Sequence, residues 1–284
     1  MTLPIEFQHT HSSDNTRIYV ERINAEGPPK ASVVVTPGFG EHIGRYHHVL
    51  KALSAAGYRV WGYDPRGHGQ SGGRRSFIRS FSEYFDDLSA VLKLTKGASG
   101  KNSIPVVLLG HSQGGLIVGS YCMTQGNELA AAVLSAPAMR FAVEASGIKK
   151  LVGKAMSSVW PTLALPANIP AADLSHDPAV VARYESDPLV NKNVTARWYT
   201  EALAAQQKLL KGAQRVYVPI LVLQGESDRV TDPVAARQLF ERLGSEDKQF
   251  VGYKGLYHEI LNEIERETVI SDIIAWLDVR FAQK

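Results

Sequence analysis

The sequence is poor in cysteine and has no long hydrophobic run. Cys122 is the single cysteine among 284 residues, so no disulfide bond can form within the chain and no oxidising compartment is required. No stretch of about 18 apolar residues could cross a bilayer, and residues 1–6 lack the basic and apolar regions of a signal peptide. These absences predict a cytoplasmic protein.

The chain also carries little excess charge, with 31 Lys and Arg against 28 Asp and Glu and a net charge of +3. No run of basic residues forms an arm for nucleic acid, so we do not expect a nucleic-acid partner. Hydrophobic residues make up 44% of the sequence, which is enough for a sizeable core. The length suits one α/β domain, or one domain with an insertion.

Short apolar runs alternate with helical stretches over most of the chain. The predicted strands are 5–11, 16–23, 31–36, 58–63, 105–110, 130–134, 219–224 and 248–253. The predicted helices of this part are 45–56, 81–94, 114–124, 233–243 and 260–281. Strands separated by helices of this length indicate a mostly parallel sheet that is covered on both faces.

Residues 110–114, Gly-His-Ser-Gln-Gly, match the G-x-S-x-G pattern of a nucleophile elbow. The pattern alone is weak in a glycine-rich chain, where a serine can simply start a helix in a tight turn. Here it follows a buried strand and precedes a helix, which is the context that an elbow requires. We therefore predict that Ser112 is a nucleophile at the carboxyl end of its strand.

A serine nucleophile needs a base and an acid that orients the base, and in this architecture they follow in the order Ser, Asp or Glu, His. Asp228 and His258 follow the last two predicted strands, at the sheet edge where Ser112 lies. We therefore predict a catalytic triad of these three residues. Glu226 and Asp232 flank Asp228 and are weaker alternatives, and Asp232 has the pattern of a helix N-cap.

The tetrahedral intermediate of acyl transfer needs two N–H donors for its oxyanion. We expect them from the backbone of Gln113, directly after the nucleophile, and of Phe39, in the glycine-rich loop after the third strand. That loop lacks the third glycine of a dinucleotide fingerprint, because Ile43 stands in its place. The pair His47-His48 has no third ligand at metal spacing, so we expect no metal site.

Together these motifs resemble the monoacylglycerol lipases and their lysophospholipase-like relatives. Four segments carry the resemblance: residues 38–46 (GFGEHIGRY), 64–72 (DPRGHGQSG), the elbow, and 255–259 (GLYHE). The resemblance implies an α/β-hydrolase fold with a mostly parallel eight-stranded sheet, helices on both faces and a helical cap. It also implies an esterase without cofactor, with Glu41, His42 and Arg45 near the polar end of the pocket.

The alternation of strands and helices stops between residues 138 and 213, where helical stretches and prolines show no convincing strand. We predict a core made of 1–137 and 214–284, and a helical cap made of 138–213. One cap helix carries an apolar stripe of Leu151, Val152, Ala155, Met156, Val159, Trp160 and Leu163. The stripe either packs on the core or serves the substrate, as an acyl tunnel or as a lid in transient contact with a membrane. For the second case we expect Met156 and Trp160 to bind substrate.

The leading interpretation is hydrolysis of a monoacylglycerol to fatty acid and glycerol through an acyl-enzyme on Ser112, with a small lipid ester as the partner. Pro37 stands where the family usually has His, and Gln113 where Met is common, so the preferred ester stays open. A lysophospholipase and a broad carboxylesterase are alternatives. An aminopeptidase of this fold would need cap carboxylates, for which Glu144, Glu185 and Glu201 are available. A non-catalytic binding module is disfavoured by the intact triad.

Overall fold

The computed structural model describes residues 3–99, 104–142 and 147–282. Its strands are β1 (Glu6–His11), β2 (Arg17–Ile23), β3 (Ser32–Thr36), β4 (Arg59–Tyr63), β5 (Val106–His111), β6 (Ala131–Ser135), β7 (Ala164–Pro166), β8 (Asn193–Thr195), β9 (Ile220–Gly225) and β10 (Lys248–Tyr253). Its α-helices are α1 (His47–Ala55), α2 (Glu83–Ser99), α3 (Gln113–Gln125), α4 (Gly147–Val159), α5 (Pro178–Ser186), α6 (Ala196–Gly212), α7 (Pro233–Arg242) and α8 (Arg266–Phe281). None of the helices in these ranges is long and apolar enough to span a membrane.

Eight strands form one sheet in the order β1-β2-β4-β3-β5-β6-β9-β10. Strand β2 runs antiparallel to β1 and β4, and the other pairs are parallel. Every residue of β3, β5, β6 and β9 is buried, because hydrophobic clusters cover both faces of the sheet. Val34 faces one cluster, while Val33 and Val35 face the other, as the two-residue period of a strand requires. The predicted α/β-hydrolase fold is confirmed.

The last predicted helix begins later in the structure than the sequence suggests. Residues 260–265 form turns, and α8 starts at Arg266. The backbone N–H of Asn262 donates to the carbonyl of Glu259, and Ile260 and Leu261 are buried in the core. Buried residues in consecutive turns share the apolar spacing of a helix, which explains why the prediction started the helix too early.

The segment between β6 and β9 contains α4, β7, α5, β8 and α6, and we call it the insertion. The expectation that it holds no strand is wrong, because β7 and β8 pair antiparallel with Leu165 opposite Val194. Each strand has only three residues, too few to show an alternating pattern. Helix α6 packs on α3 and buries Trp198, Ala202 and Leu209 in the hydrophobic cluster that covers one face of the sheet, which attaches the insertion to the core.

Candidate active site

Ser112 occupies the turn between β5 and α3 with φ 52° and ψ −115°, a conformation that a non-glycine residue adopts only under strain. Two glycines allow this turn. A Cβ atom on Gly110 would lie 2.2 Å from the carbonyl oxygen of Gly114, and a Cβ on Gly114 would lie 2.0 Å from that of Thr36. The structure therefore has the strand, tight turn and helix that the G-x-S-x-G pattern predicts.

The structure brings Ser112, His258 and Asp228 together in one hydrogen-bonded chain. The Nε2 atom of His258 lies 2.9 Å from Oγ of Ser112, and its Nδ1 atom lies 2.7 Å from Oδ2 of Asp228. Asp228 also accepts from the side chains of Gln224 and Thr231, at 3.0 and 2.8 Å. These contacts orient the carboxylate toward the imidazole, which is the geometry that base-assisted attack by a serine requires.

The alternative acids lie elsewhere. Glu226 is exposed to solvent, and Asp232 accepts from the backbone N–H of Val234 as the N-cap of α7. Asp232 also forms an ion pair with Arg140. The carboxylate that meets the imidazole of His258 is therefore that of Asp228.

The electrostatics of the site favour a charged acid and a basic histidine. Burial alone would raise the pKa of Asp228. His258 and the hydrogen bonds from Thr231 together outweigh burial and lower the pKa to about 2. Burial lowers the pKa of His258, but Asp228 and the nearby carboxylates raise it above its ordinary value. His111, whose ring centroid is 4.9 Å away, is completely buried, and burial holds its pKa well below the usual range. It therefore stays neutral and does not compete for the proton.

The two predicted oxyanion donors lie beside the nucleophile. Gln113 is the first residue of α3, so its backbone N–H has no acceptor within the helix. The loop that contains Phe39 passes directly over the nucleophile, since a Cβ atom on Gly38 would lie 3.2 Å from Cβ of Ser112. Phe39 and Gln113 both line the cavity above the serine.

That cavity has a volume of about 300 Å³ and contains Ser112 and His258 in its wall. Apolar side chains from the core and the insertion provide most of the remaining wall. They are Phe39, Phe141, Ile169, Leu174, Val194, Trp198 and Val230. An apolar cavity with a few convergent polar groups is typical of a small-molecule site.

Asp173 and Arg229 add charge to the cavity wall, and so do the carboxylates of Glu41 and Glu259. Arg45 lies behind them and binds both, with 2.6 Å from Nη1 to Glu41 and 2.7 Å to Glu259. The hydroxyl of Tyr46 donates to Glu41 at 3.1 Å, and burial raises the pKa of Glu41. Sequence analysis missed Glu259, although its position directly after His258 was a signal.

Four of the five residues expected to bind substrate do not line the cavity in the part of the chain that the structure describes: Arg45, His42, Met156 and Trp160. Nε2 of His42 lies 2.8 Å from Oδ2 of Asp187 and so connects the loop that contains Phe39 to the insertion. Met156 is half-buried and Trp160 is 58% exposed. Neither side chain lines this cavity, because α4 contacts α6 through Ser157, at 2.8 Å from Thr200, and leaves part of the apolar stripe in solvent; their role in substrate binding stays a prediction. The side chains of Leu151 and Val152 lie outside the described residues.

Fold and site together define a serine hydrolase of the α/β-hydrolase class, with a buried Ser–His–Asp chain at the carboxyl ends of a mostly parallel sheet. Residues 27–265 match the family described as "Serine aminopeptidase, S33", and the chain belongs to that family.

Several relatives resemble the chain over most of its length. A monoacylglycerol lipase of Mycolicibacterium smegmatis is 36% identical over 262 residues, which are 92% of each chain. A phospholipase of Bacillus subtilis is 30% identical over 88% of this chain and 96% of its own. The crystal structure of the monoacylglycerol lipase of Paleococcus ferrophilus has a TM-score of 0.83 at 30% identity, and the match covers 93% of this chain and 99% of that one.

Proposed function

We propose that this protein hydrolyses the ester bond of single-chain lipids, with monoacylglycerols as the preferred substrates. The observation that carries the proposal is the Ser112–His258–Asp228 chain beside a cavity that is lined mainly by apolar side chains and also by the carboxylates of Glu41 and Glu259. The names of the Mycolicibacterium and Paleococcus relatives agree with it.

The geometry supports a two-step reaction. His258 takes the proton of Ser112 as Oγ attacks the ester carbonyl, and the backbone N–H groups of Phe39 and Gln113 stabilise the oxyanion. Asp228 stabilises the imidazolium, which then gives its proton to the departing alcohol. His258 next takes a proton from water, hydroxide attacks the acyl-enzyme, and the serine recovers its proton as the fatty acid leaves.

The charges in the cavity wall favour a neutral alcohol over a phosphate-containing headgroup. Glu41 and Glu259 share the single guanidinium of Arg45, so this cluster carries one net negative charge, or none if Glu41 is protonated. Arg229, a cation in the wall, is paired with Asp173 at 3.4 Å, so the two add no net charge. The wall therefore has no net positive charge to attract a phosphate, whereas glycerol hydroxyls can donate to the carboxylates, which favours monoacylglycerol over the lysophospholipid alternative.

The insertion acts as the cap of this site, and we keep its bounds at 138–213. Its residues Ile169, Leu174, Val194 and Trp198 form part of the cavity wall, where each buried methylene of an acyl chain contributes about 0.8 kcal/mol. Its outer surface exposes Val159, Trp160 and Leu165, at 79%, 58% and 58%. These exposed apolar side chains fall within seven residues of one another, and Ala167, two residues after Leu165, lines the cavity; such a cluster favours transient contact between the cap and a membrane surface.

An aminopeptidase has weaker support, despite the description of the family. Glu144 lies outside the described residues, and Glu185 is exposed. Glu201 accepts from the backbone N–H of Phe81 at 3.0 Å, and neither Glu185 nor Glu201 contributes to the cavity wall. The described part of the insertion therefore places none of the predicted carboxylates in the wall, and Asp173, which does line it, is paired with Arg229 at 3.4 Å.

Relative rates on a substrate panel test the function. The panel contains a monoacylglycerol, the diacylglycerol, a lysophosphatidylcholine with the same acyl chain, an acetate ester of nitrophenol and an aminoacyl anilide. We expect the monoacylglycerol to have the highest kcat/KM and a fluorophosphonate probe to label Ser112. A higher kcat/KM on the lysophospholipid, the acetate ester or the anilide would replace the proposal with the corresponding alternative.

A further inference from the structure

The carboxylate of Glu263 connects the loop of His258 to the insertion. Glu263 is completely buried in the turns between β10 and α8. Its Oε1 atom accepts from the backbone N–H of Tyr257 at 2.8 Å and lies 2.8 Å from Nδ1 of His176. Its Oε2 atom accepts from the backbone N–H of His176 at 2.9 Å and from the hydroxyl of Ser175 at 3.1 Å. One carboxylate thus joins the residue before His258 to two residues of the insertion.

These hydrogen bonds also keep the carboxylate ionised. Burial raises the pKa of Glu263, but the donors from Tyr257 and His176 lower it below its ordinary value. A buried carboxylate that accepts several hydrogen bonds holds its donors in place, because breaking any of these hydrogen bonds would leave a donor unpaired and cost free energy.

The residue after His258 is held by the same part of the insertion. The backbone N–H of Glu259 donates to the carbonyl of Leu174 at 2.8 Å. The imidazole of His176 stacks on the ring of Tyr257 with centroids 3.7 Å apart, and the guanidinium of Arg229 lies 4.6 Å from that ring. Residues 174–176 therefore hold both chain neighbours of His258, and Arg229 directly follows Asp228.

We propose that Glu263 is a positioning residue. It joins residues 174–176 to the loop of His258, so the placement of the insertion on the core sets the position of the imidazole. The inference rests on the proposed roles of Ser112, His258 and Asp228. The imidazole must meet two partners at once, at 2.9 and 2.7 Å. A misplacement of about 1 Å at such a site can cost about a hundredfold in rate. Leu174 also lines the cavity, so the same segment contacts the space that the substrate fills.

A purely structural role for Glu263 can be separated from positioning by a matched variant. Asp177 lies in the same segment of the insertion, accepts from the backbone N–H of Ala179 and pairs with Arg266 at 3.1 Å. Both of these partners lie outside residues 257–259. Asp177→Asn therefore weakens the attachment of the insertion without touching the loop of His258.

The test compares Glu263→Gln with Asp177→Asn on a short, water-soluble nitrophenyl ester, together with the far-downfield proton NMR resonance of Nδ1–H of His258. We expect Glu263→Gln to lower kcat about ten- to hundredfold with KM within about twofold, and to shift or broaden the resonance. Asp177→Asn should keep kcat within about twofold and leave the resonance in place. If the two variants behave alike in both measurements, Glu263 does not position His258.

A second variant covers the case in which Glu263→Gln does not fold. His176→Phe preserves a ring on Tyr257 but removes the hydrogen bond from the side chain to Glu263. It should lower kcat severalfold and move the same resonance, and an unchanged kcat and spectrum would overturn the inference. Ser112→Ala separates the proposed function from the positioning role. Activity in that variant would refute the proposed function. An inactive Ser112→Ala together with a normal Glu263→Gln would refute the positioning role alone.

Discussion

Arg45 binds Glu259 through both terminal nitrogens of its guanidinium, at 2.7 and 2.8 Å. Arg45 lies just after the loop that contains Phe39, and Glu259 directly follows His258. The pair therefore connects the loop of the proposed oxyanion hole to the loop of the proposed base. Both side chains are buried, at 8% and 2% exposed, so this connection is shielded from solvent.

Removing the cation from this pair should destabilise the fold. Arg45→Met leaves the buried carboxylates of Glu41 and Glu259 without their shared partner, and breaking such a cluster typically costs about 3–5 kcal/mol. The free energy of unfolding in urea checks this. Lys96→Met is the control, because the Lys96–Glu128 pair is largely exposed and its loss should leave the midpoint nearly unchanged. Equal effects of the two changes would contradict the buried role of Arg45.

Single and double substitutions test the triad as a unit. Ser112→Ala and His258→Ala should each lower kcat by about 10⁴-fold or more, because either change removes assisted attack on the ester. The double variant should be little worse than either one, as measured on a soluble ester. Additive losses would show that the two side chains act separately.

Activity should fall in acid, since His258 must be neutral to accept the proton of Ser112. Because Asp228 and the nearby carboxylates raise its pKa against the effect of burial, the acid limb of kcat/KM should lie above pH 6.5, roughly the ordinary histidine value. Below that pKa the rate should drop about tenfold per pH unit. A limb below pH 6 would show that burial outweighs the carboxylates.

Asp228→Asn should lower kcat by about 10⁴-fold and move the acid limb to lower pH. The amide no longer stabilises the imidazolium, so the pKa of His258 falls, and the wrong tautomer is favoured. Glu226→Gln is the control and should behave like the wild type in the same pH series. Near-normal activity of Asp228→Asn would move the acid to Glu226 or Asp232.

The exposed patch on the insertion predicts a difference between soluble and aggregated substrates. Trp160→Asp should leave hydrolysis of a soluble nitrophenyl ester unchanged and lower the rate on monoacylglycerol in vesicles severalfold, because a charge there opposes lipid contact. Tyr217→Asp, at a site 71% exposed outside the insertion, is the control and should change neither rate. Equal losses on both substrates would indicate damage to the fold, and no loss on vesicles would remove the membrane contact from the proposal.

The sequence by itself determined the main chain organisation and the identities of the central candidates. Buried strands such as β5 and β9 begin with continuous apolar runs. Such a run is a local pattern, so it can be recognised from neighbouring residues alone. The elbow around Ser112 is equally local, because a strained turn admits only small neighbours. Asp228 and His258 could be predicted because parallel strands bring their carboxyl ends to one edge whatever the distance along the chain.

Only the tertiary structure decided which of the remaining side chains meet. The apolar stripe of α4 left open whether Trp160 packs on the core or faces the substrate, and in the structure the helix approaches α6 through Ser157 and the indole is exposed. Likewise, nothing local marks Glu263 as a partner of His176, 87 residues away. Periodicity shows that one face of a helix is apolar, but the packing of the helices decides which neighbour covers that face. A carboxylate such as that of Glu263 can be buried only where donors from distant segments surround it, and those donors are known only from the tertiary structure.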